Sequence, residues 1–206
     1  MELTLDQKDA LTELINIGYG RAAGALSELT GYRITLEVPQ VAMHEIQEVG
    51  PILELMLGAP VASVNQVFSG PVSGNALLLL DETSAIVLSQ LLNGENSPAR
   101  TLDANARETI TEVGNILLNA CLGVFGNLLH IQVNFAVPRL TFDTAGRLMT
   151  SLEENADEPL RYGLMIHTRF CVKAGDVTGF LVIVLGISSL DRLLREVDRW
   201  ENRDVR

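Results

Sequence analysis

Apolar positions along the chain alternate between two periods. Leu11, Leu14, Ala22, Ala25, Leu26 and Leu29 recur at helical spacing; Asp6 offers a cap for that helix and Thr30-Gly31 a stop. Tyr32-Arg33-Ile34-Thr35-Leu36-Glu37-Val38 then alternates at period two up to Pro39, the pattern of a strand and its exit. Val61–Phe68 is a further extended run, Gly70-Pro71 marks a turn, and Val72–Leu80 is a strand apolar enough to be deeply covered. Asp81 can cap a helix through Leu92, with Gly94 beyond its end.

The same order then returns. Asp103 can cap a helix through Leu128 or Leu129, Ile131–Val137 reads as a strand ending at Pro138, and Arg161–Lys173 and Val177–Leu185 as a strand pair about Gly175. Ser188 or Ser189 opens a last helix through about Trp200. Displaced by 99 residues, Glu13 falls on Glu112, Asn16 on Asn115, Ile17 on Ile116, Gly24 on Gly123 and Pro39 on Pro138. The expected architecture is therefore α/β (α+β), with long helices carrying the matched residues and one mixed β-sheet shared by a pseudo-two-fold repeat. Residues 1–206 form one domain on this reading, made of repeats at about 5–94 and 103–200, each with a longer connection inside it. Glu153–Pro159 is expected to be a solvated loop.

Charge narrows the partners. The 206 residues carry a formal net charge of −11, which disfavours phosphate backbones and anionic lipid. The segment from Leu190 to Arg206 balances five arginines against five acids, so the whole imbalance belongs to the body before it. Cys121 and Cys171 lie among apolar neighbours and read as buried free thiols. The N-terminus lacks a basic region followed by an apolar run, and the cytoplasm is the expected compartment.

Chemistry concentrates on the two long helices. Asp9, Glu13, Asn16 and Gly20 share one stripe of the first; Glu108, Glu112, Asn115 and Asn119 repeat it on the second. Each stripe sets a carboxylate, able to pair with a cation, one turn before an amide, able to donate or accept a hydrogen bond. One such stripe is ordinary helix surface; two, each with its Asn twenty-three residues before a proline, are not. Gly24 and Gly123 read as helix-to-sheet packing positions, and Gly20 as clearance beside the stripe. Rival sites are weaker: His44, His130 and His167 are dispersed, Ser27 lacks a nucleophile-elbow context, and Gly18-Tyr19-Gly20-Arg21 is no phosphate loop.

The motif resembles the signature of the CheC/CheX/FliY chemotaxis family: Asp or Ser, three residues, Glu, two residues, Asn, twenty-two residues, Pro. Asp9, Glu13, Asn16 and Pro39 meet it, and Glu112, Asn115 and Pro138 meet it again, with Glu108 at the leading position. Two copies match the CheC branch, whereas CheX has one usable copy, and FliY relatives carry an additional C-terminal switch module for which no room is expected here. The resemblance implies a phosphatase that hydrolyses the aspartyl phosphate of the response regulator CheY. Glu13 and Glu112 would pair with a regulator lysine, Asn16 and Asn115 would orient the attacking water, and Asp9, Glu108, Pro39 and Pro138 would support them. It implies no cofactor bound by this chain, with Mg²⁺ held by the regulator, and the deamidase CheD as a further partner of a monomeric protein. A noncatalytic adaptor binding phosphorylated CheY or CheD is the alternative, and a general-base role for one Glu stays open.

Overall fold

The structure is a computed structural model, and it describes residues 3–93, 102–156, 158–172 and 175–204. Its first helix, α1 (Leu5–Thr30), starts two residues earlier than an Asp6 cap would allow. The Gln7 amide donates to Thr4 Oγ1 (3.1 Å) while the Thr4 amide donates to Gln7 Oε1 (3.2 Å). This reciprocal box satisfies two end donors where Asp6 would satisfy one. Gly31, at φ 71°, closes α1 in the left-handed region.

After α1 come β1 (Ile34–Leu36), β2 (Gln40–Glu45) and α2 (Ile46–Leu57), then β3 (Val61–Ser69), β4 (Gly74–Asp81) and α3 (Glu82–Asn93). The second half follows the same order: α4 (Ala104–Leu128), β5 (Asn134–Phe135), β6 (Arg139–Asp143), α5 (Ala145–Glu154), β7 (Leu160–Val172), β8 (Gly175–Gly186) and α6 (Ile187–Asp204). Asp81 receives the Ser84 amide at 2.8 Å and Asp103 the Ala106 amide at 2.8 Å, as their expected caps require. The Gly94 stop lies outside the described residues.

The longer connections are not plain loops. Each holds a strand and a helix, β2–α2 and β6–α5, and α5 takes in Glu153 and Glu154 of the expected solvated loop. Gly50 and Pro51 disguise α2 in the sequence, because both disfavour an isolated helix. Packing restores it: a Cβ on Gly50 would lie 3.0 Å from Gly146 Cα, so α2 and α5 touch backbone to backbone. Glu54 then accepts the Gly146 amide at 2.9 Å near the start of α5.

One eight-stranded sheet runs β1-β7-β8-β4-β3-β5, with β2 also on β7 and β6 also on β3. Every pairing among the described residues is antiparallel, which corrects the expectation of mixed strand directions within the shared sheet. The reason is symmetry. A pseudo-two-fold axis normal to the sheet reverses strand direction, so β4 and β8, which meet across it with Leu77 opposite Val182, must run oppositely. The halves also exchange edges: β1 and β2 extend the hairpin of the second half, and β5 and β6 that of the first.

The sheet is covered on both sides, which is why β4 and β8 read as unbroken apolar runs. Ala76, Leu78, Leu80, Leu181, Ile183 and Leu185 pack toward α1, α3, α4 and α6. Leu77, Leu79, Phe180, Val182 and Val184 pack toward α2 and α5. The helix α4 is long and apolar enough to cross a membrane by composition, but half of that apolar window is buried inside the protein.

Candidate functional site

The buried side of α1 is Ala10, Leu11, Leu14, Ile15, Tyr19, Ala22 and Leu26, so the helical period turns Asp9, Glu13, Asn16 and Gly20 to solvent. The corresponding core face of α4 leaves Glu108 and Glu112 exposed and Asn115 and Asn119 half-buried. The two helices pack together at Gly18, whose added Cβ would come 2.9 Å from Cys121 Cα and 3.3 Å from the Ala120 carbonyl oxygen. Gly114 lets α4 press on β3, since a Cβ there would overlap Val64. A Cβ on Gly20, Gly24 or Gly123 would meet nothing within 4 Å. Gly20 thus has the clearance expected, whereas Gly24 and Gly123 are not the packing contacts their spacing suggested. Burial pushes the Cys121 thiol well above its usual range, leaving it an inert core group; the Cys171 side chain lies outside what is described.

The two stripes differ in their hydrogen bonding. On α4, Asn115 Nδ2 donates to Glu112 Oε2 (3.5 Å) and Asn119 Nδ2 donates to Asn115 Oδ1 (2.6 Å). Behind them the buried Gln66 of β3 donates from Nε2 to Asn119 Oδ1 (3.1 Å) and to the Ala136 carbonyl (3.1 Å). On α1, Gly20 occupies the place of Asn119. Sequence reading placed Asn119 in the stripe but missed Gln66, whose spacing on β3 gives no hint that it reaches α4.

Pro39 and Pro138 do not end the strands at an exit from the sheet. From Leu36 to Gln40 the chain advances four residues while its partner β7 advances three, from Phe170 to His167. From Phe135 to Arg139 it again advances four, against three from Phe68 to Asn65. Each proline therefore sits in a one-residue bulge of an edge strand, where its missing N–H is tolerated. The bulges turn Val38 and Val137 outward, 70% and 84% exposed. Gln66 ties the second bulge to the α4 stripe through Ala136.

Chemically, each stripe offers an acid and a neutral amide on an open helix face. A cleft of about 340 Å³ lies elsewhere, lined by Asn65, Ser73, Asn75, Asn155 and Glu158 among others. An open face of this kind suits a macromolecular surface better than a small ligand. His44 lies 3.9 Å from Glu48, His167 meets the Phe180 ring at a tilt, and His130 follows the end of α4. Among the described residues, no three His, Cys, Asp or Glu side chains are grouped to hold a metal.

A model of the CheC-like family matches residues 7–43, which span the α1 stripe, the bulge at Pro39 and the start of β2. The CheY-P phosphatase CheC of Bacillus subtilis is 27% identical over 150 residues, covering 70% of this chain and 70% of that protein. The flagellar motor switch phosphatase FliY of the same organism is 18% identical over 178 residues, 85% of this chain and 45% of that protein. Among solved structures, Thermotoga maritima FliY shares the fold with a TM-score of 0.76 at 20% identity, over 98% of this chain and 99% of that one. With the doubled Glu–Asn stripe and the shared sheet, these matches support membership in the CheC/CheX/FliY superfamily of chemotaxis phosphatases and adaptors.

Proposed function

We propose that the chain hydrolyses the aspartyl phosphate of a CheY-type response regulator, using the α1 and α4 stripes as two active faces of one domain built from repeats at about 5–94 and 103–200. The observation that carries this reading is the exposure of Glu13 and Asn16 on α1 together with the open placement of Glu112 and Asn115 on α4. An amide one helical turn beyond a carboxylate reaches outward beside it, so a partner's phosphorylated pocket can receive both at once. Glu13 or Glu112 pairs with a lysine of the regulator. Asn16 or Asn115 enters the pocket and holds water in line with phosphorus.

An amide has no useful proton-accepting group near neutral pH, so its contribution is orientation and hydrogen bonding along the reaction coordinate. It also approaches phosphoryl oxygens without the repulsion a carboxylate would bring. Mg²⁺ belongs to the regulator and supplies charge neutralisation there, while this chain's own residues bind, orient and exclude. Asp9 and Glu108, one turn earlier on each stripe, extend the acidic contact. The bulges at Pro39 and Pro138 leave Val38 and Val137 exposed as further contact positions. The protein acts as a cytoplasmic monomer on this reading, with CheD as a second partner.

The test follows decay of a phosphorylated regulator with wild type, Asn16→Ala, Asn115→Ala and the double variant, alongside a binding measurement. Each single variant is expected to slow decay, and the double variant to lose acceleration while still binding. Binding without any acceleration by the wild type would select the adaptor reading instead.

A further inference from the structure

We propose that Gln66 and Asn119 are positioning residues that fix the rotation of the Asn115 amide, making the α4 face pre-oriented and the α1 face not. The proposal rests on reading Asn115 as the water-orienting group, and it adds two residues that no part of that reading contains.

The polarity of the relay follows from its chemistry. The Ala136 carbonyl can only accept, so the Gln66 atom 3.1 Å from it must be the NH₂ group. That same NH₂ faces Asn119 at 3.1 Å, which makes the facing Asn119 atom the oxygen and turns its NH₂ toward Asn115. Asn115 in turn presents its oxygen to Asn119 at 2.6 Å and its NH₂ to the Glu112 carboxylate, again an obligate acceptor. A flip of any one amide would set two oxygens or two NH₂ groups face to face. The backbone at one end and the carboxylate at the other therefore hold three amides in a single orientation.

Gln66 is fixed in this role rather than placed for packing. It is 1% exposed, and its Oε1 is buried with no hydrogen-bond partner among the described residues. A leucine would fill the same space without burying an unpaired oxygen, so packing alone does not account for a glutamine there. The α1 face lacks the arrangement: Gly20 replaces Asn119, and among the described residues Asn16 forms no side-chain hydrogen bond. Rotational freedom lost in advance is a rate advantage at the moment of reaction.

The experiment isolates the α4 face in an Asn16→Ala background and adds Gln66→Leu, Asn119→Ala, Asn119→Asp or the pair Gln66→Leu/Asn119→Ala. Each single change is expected to lower kcat about tenfold with KM within about twofold, and the pair to cost no more than either alone. Asn119→Asp keeps the acceptor for Gln66 but loses the donor to Asn115, so it should behave like Asn119→Ala. Side-chain amide NMR supplies a readout independent of activity: the Asn115 NH₂ protons should exchange more slowly than those of Asn16, and lose that protection in Asn119→Ala. Unchanged kcat in folded variants, or Asn115 protons no more protected than those of Asn16, overturns the relay. If Asn16→Ala is no faster than Asn16→Ala/Asn115→Ala, the phosphatase reading of the α4 face fails, and the NMR comparison still decides the relay.

Discussion

Single residues carry opposite roles at neighbouring positions of α1. Gly18 and Gly20 are two apart in sequence, yet one touches the α4 backbone and the other touches nothing. Gly18→Ala must push against Cys121 Cα and the Ala120 carbonyl, backbone that cannot swing away, and is expected to destabilise by about 1–3 kcal/mol. Gly20→Ala meets open space and removes the helix penalty of glycine, so it should stabilise by up to about 1 kcal/mol. Chemical denaturation of the two variants checks both signs. A stabilised Gly18→Ala would show that α1 and α4 can separate at no cost. The stripe residues Asp9, Glu13 and Asn16 were legible in the sequence because helical spacing alone assigns a face. Gln66 was not legible, because its partner Asn119 is 53 residues away and on another element.

At the scale of elements, α6 meets the start of α1 through like charge as well as packing. Gln7 Nε2 donates to Asp198 at 3.0 Å, and the Glu201 carboxyl is raised above its ordinary value by desolvation first, then by Asp6, Asp198 and Asp9. A carboxyl raised on folding favours the protonated native state. Its stabilising contribution is full below the ordinary value of 4.5 and is lost as pH rises through the higher folded value. Glu201→Gln should therefore raise Tm near neutral pH, with the gap closing below pH 4.5 and shrinking in high salt. Thermal melts across pH test this, and a variant less stable than wild type at neutral pH would refute it. The helices α2 and α5 were hidden at this scale. Their reason to fold is each other: the Gly50–Gly146 approach and the Glu54 bond to the Gly146 amide are tertiary facts.

For the whole molecule, edge exchange decides cooperativity. Residues 5–94 alone would leave β3 without β5 and β6, β4 without β8, and β1 and β2 without β7. Unpaired edges and an uncovered apolar face are incompatible with a stable monomer. The half is expected to be unfolded or to pair with a second copy, and to form a folded complex when expressed with residues 103–200. Circular dichroism with sedimentation would show it; a stable monomeric half would contradict the exchange.

Periodicity and spacing by themselves determined the two long helices, the central strands and the Glu–Asn stripes, because each depends only on which residues lie one turn or one pleat apart. Tertiary structure decided the rest: the antiparallel sense of the sheet, the exchange of edges, the bulges at Pro39 and Pro138, and the different settings of Asn16 and Asn115. Each of these depends on which distant segment lies alongside, and local spacing holds no record of a neighbour brought in by folding.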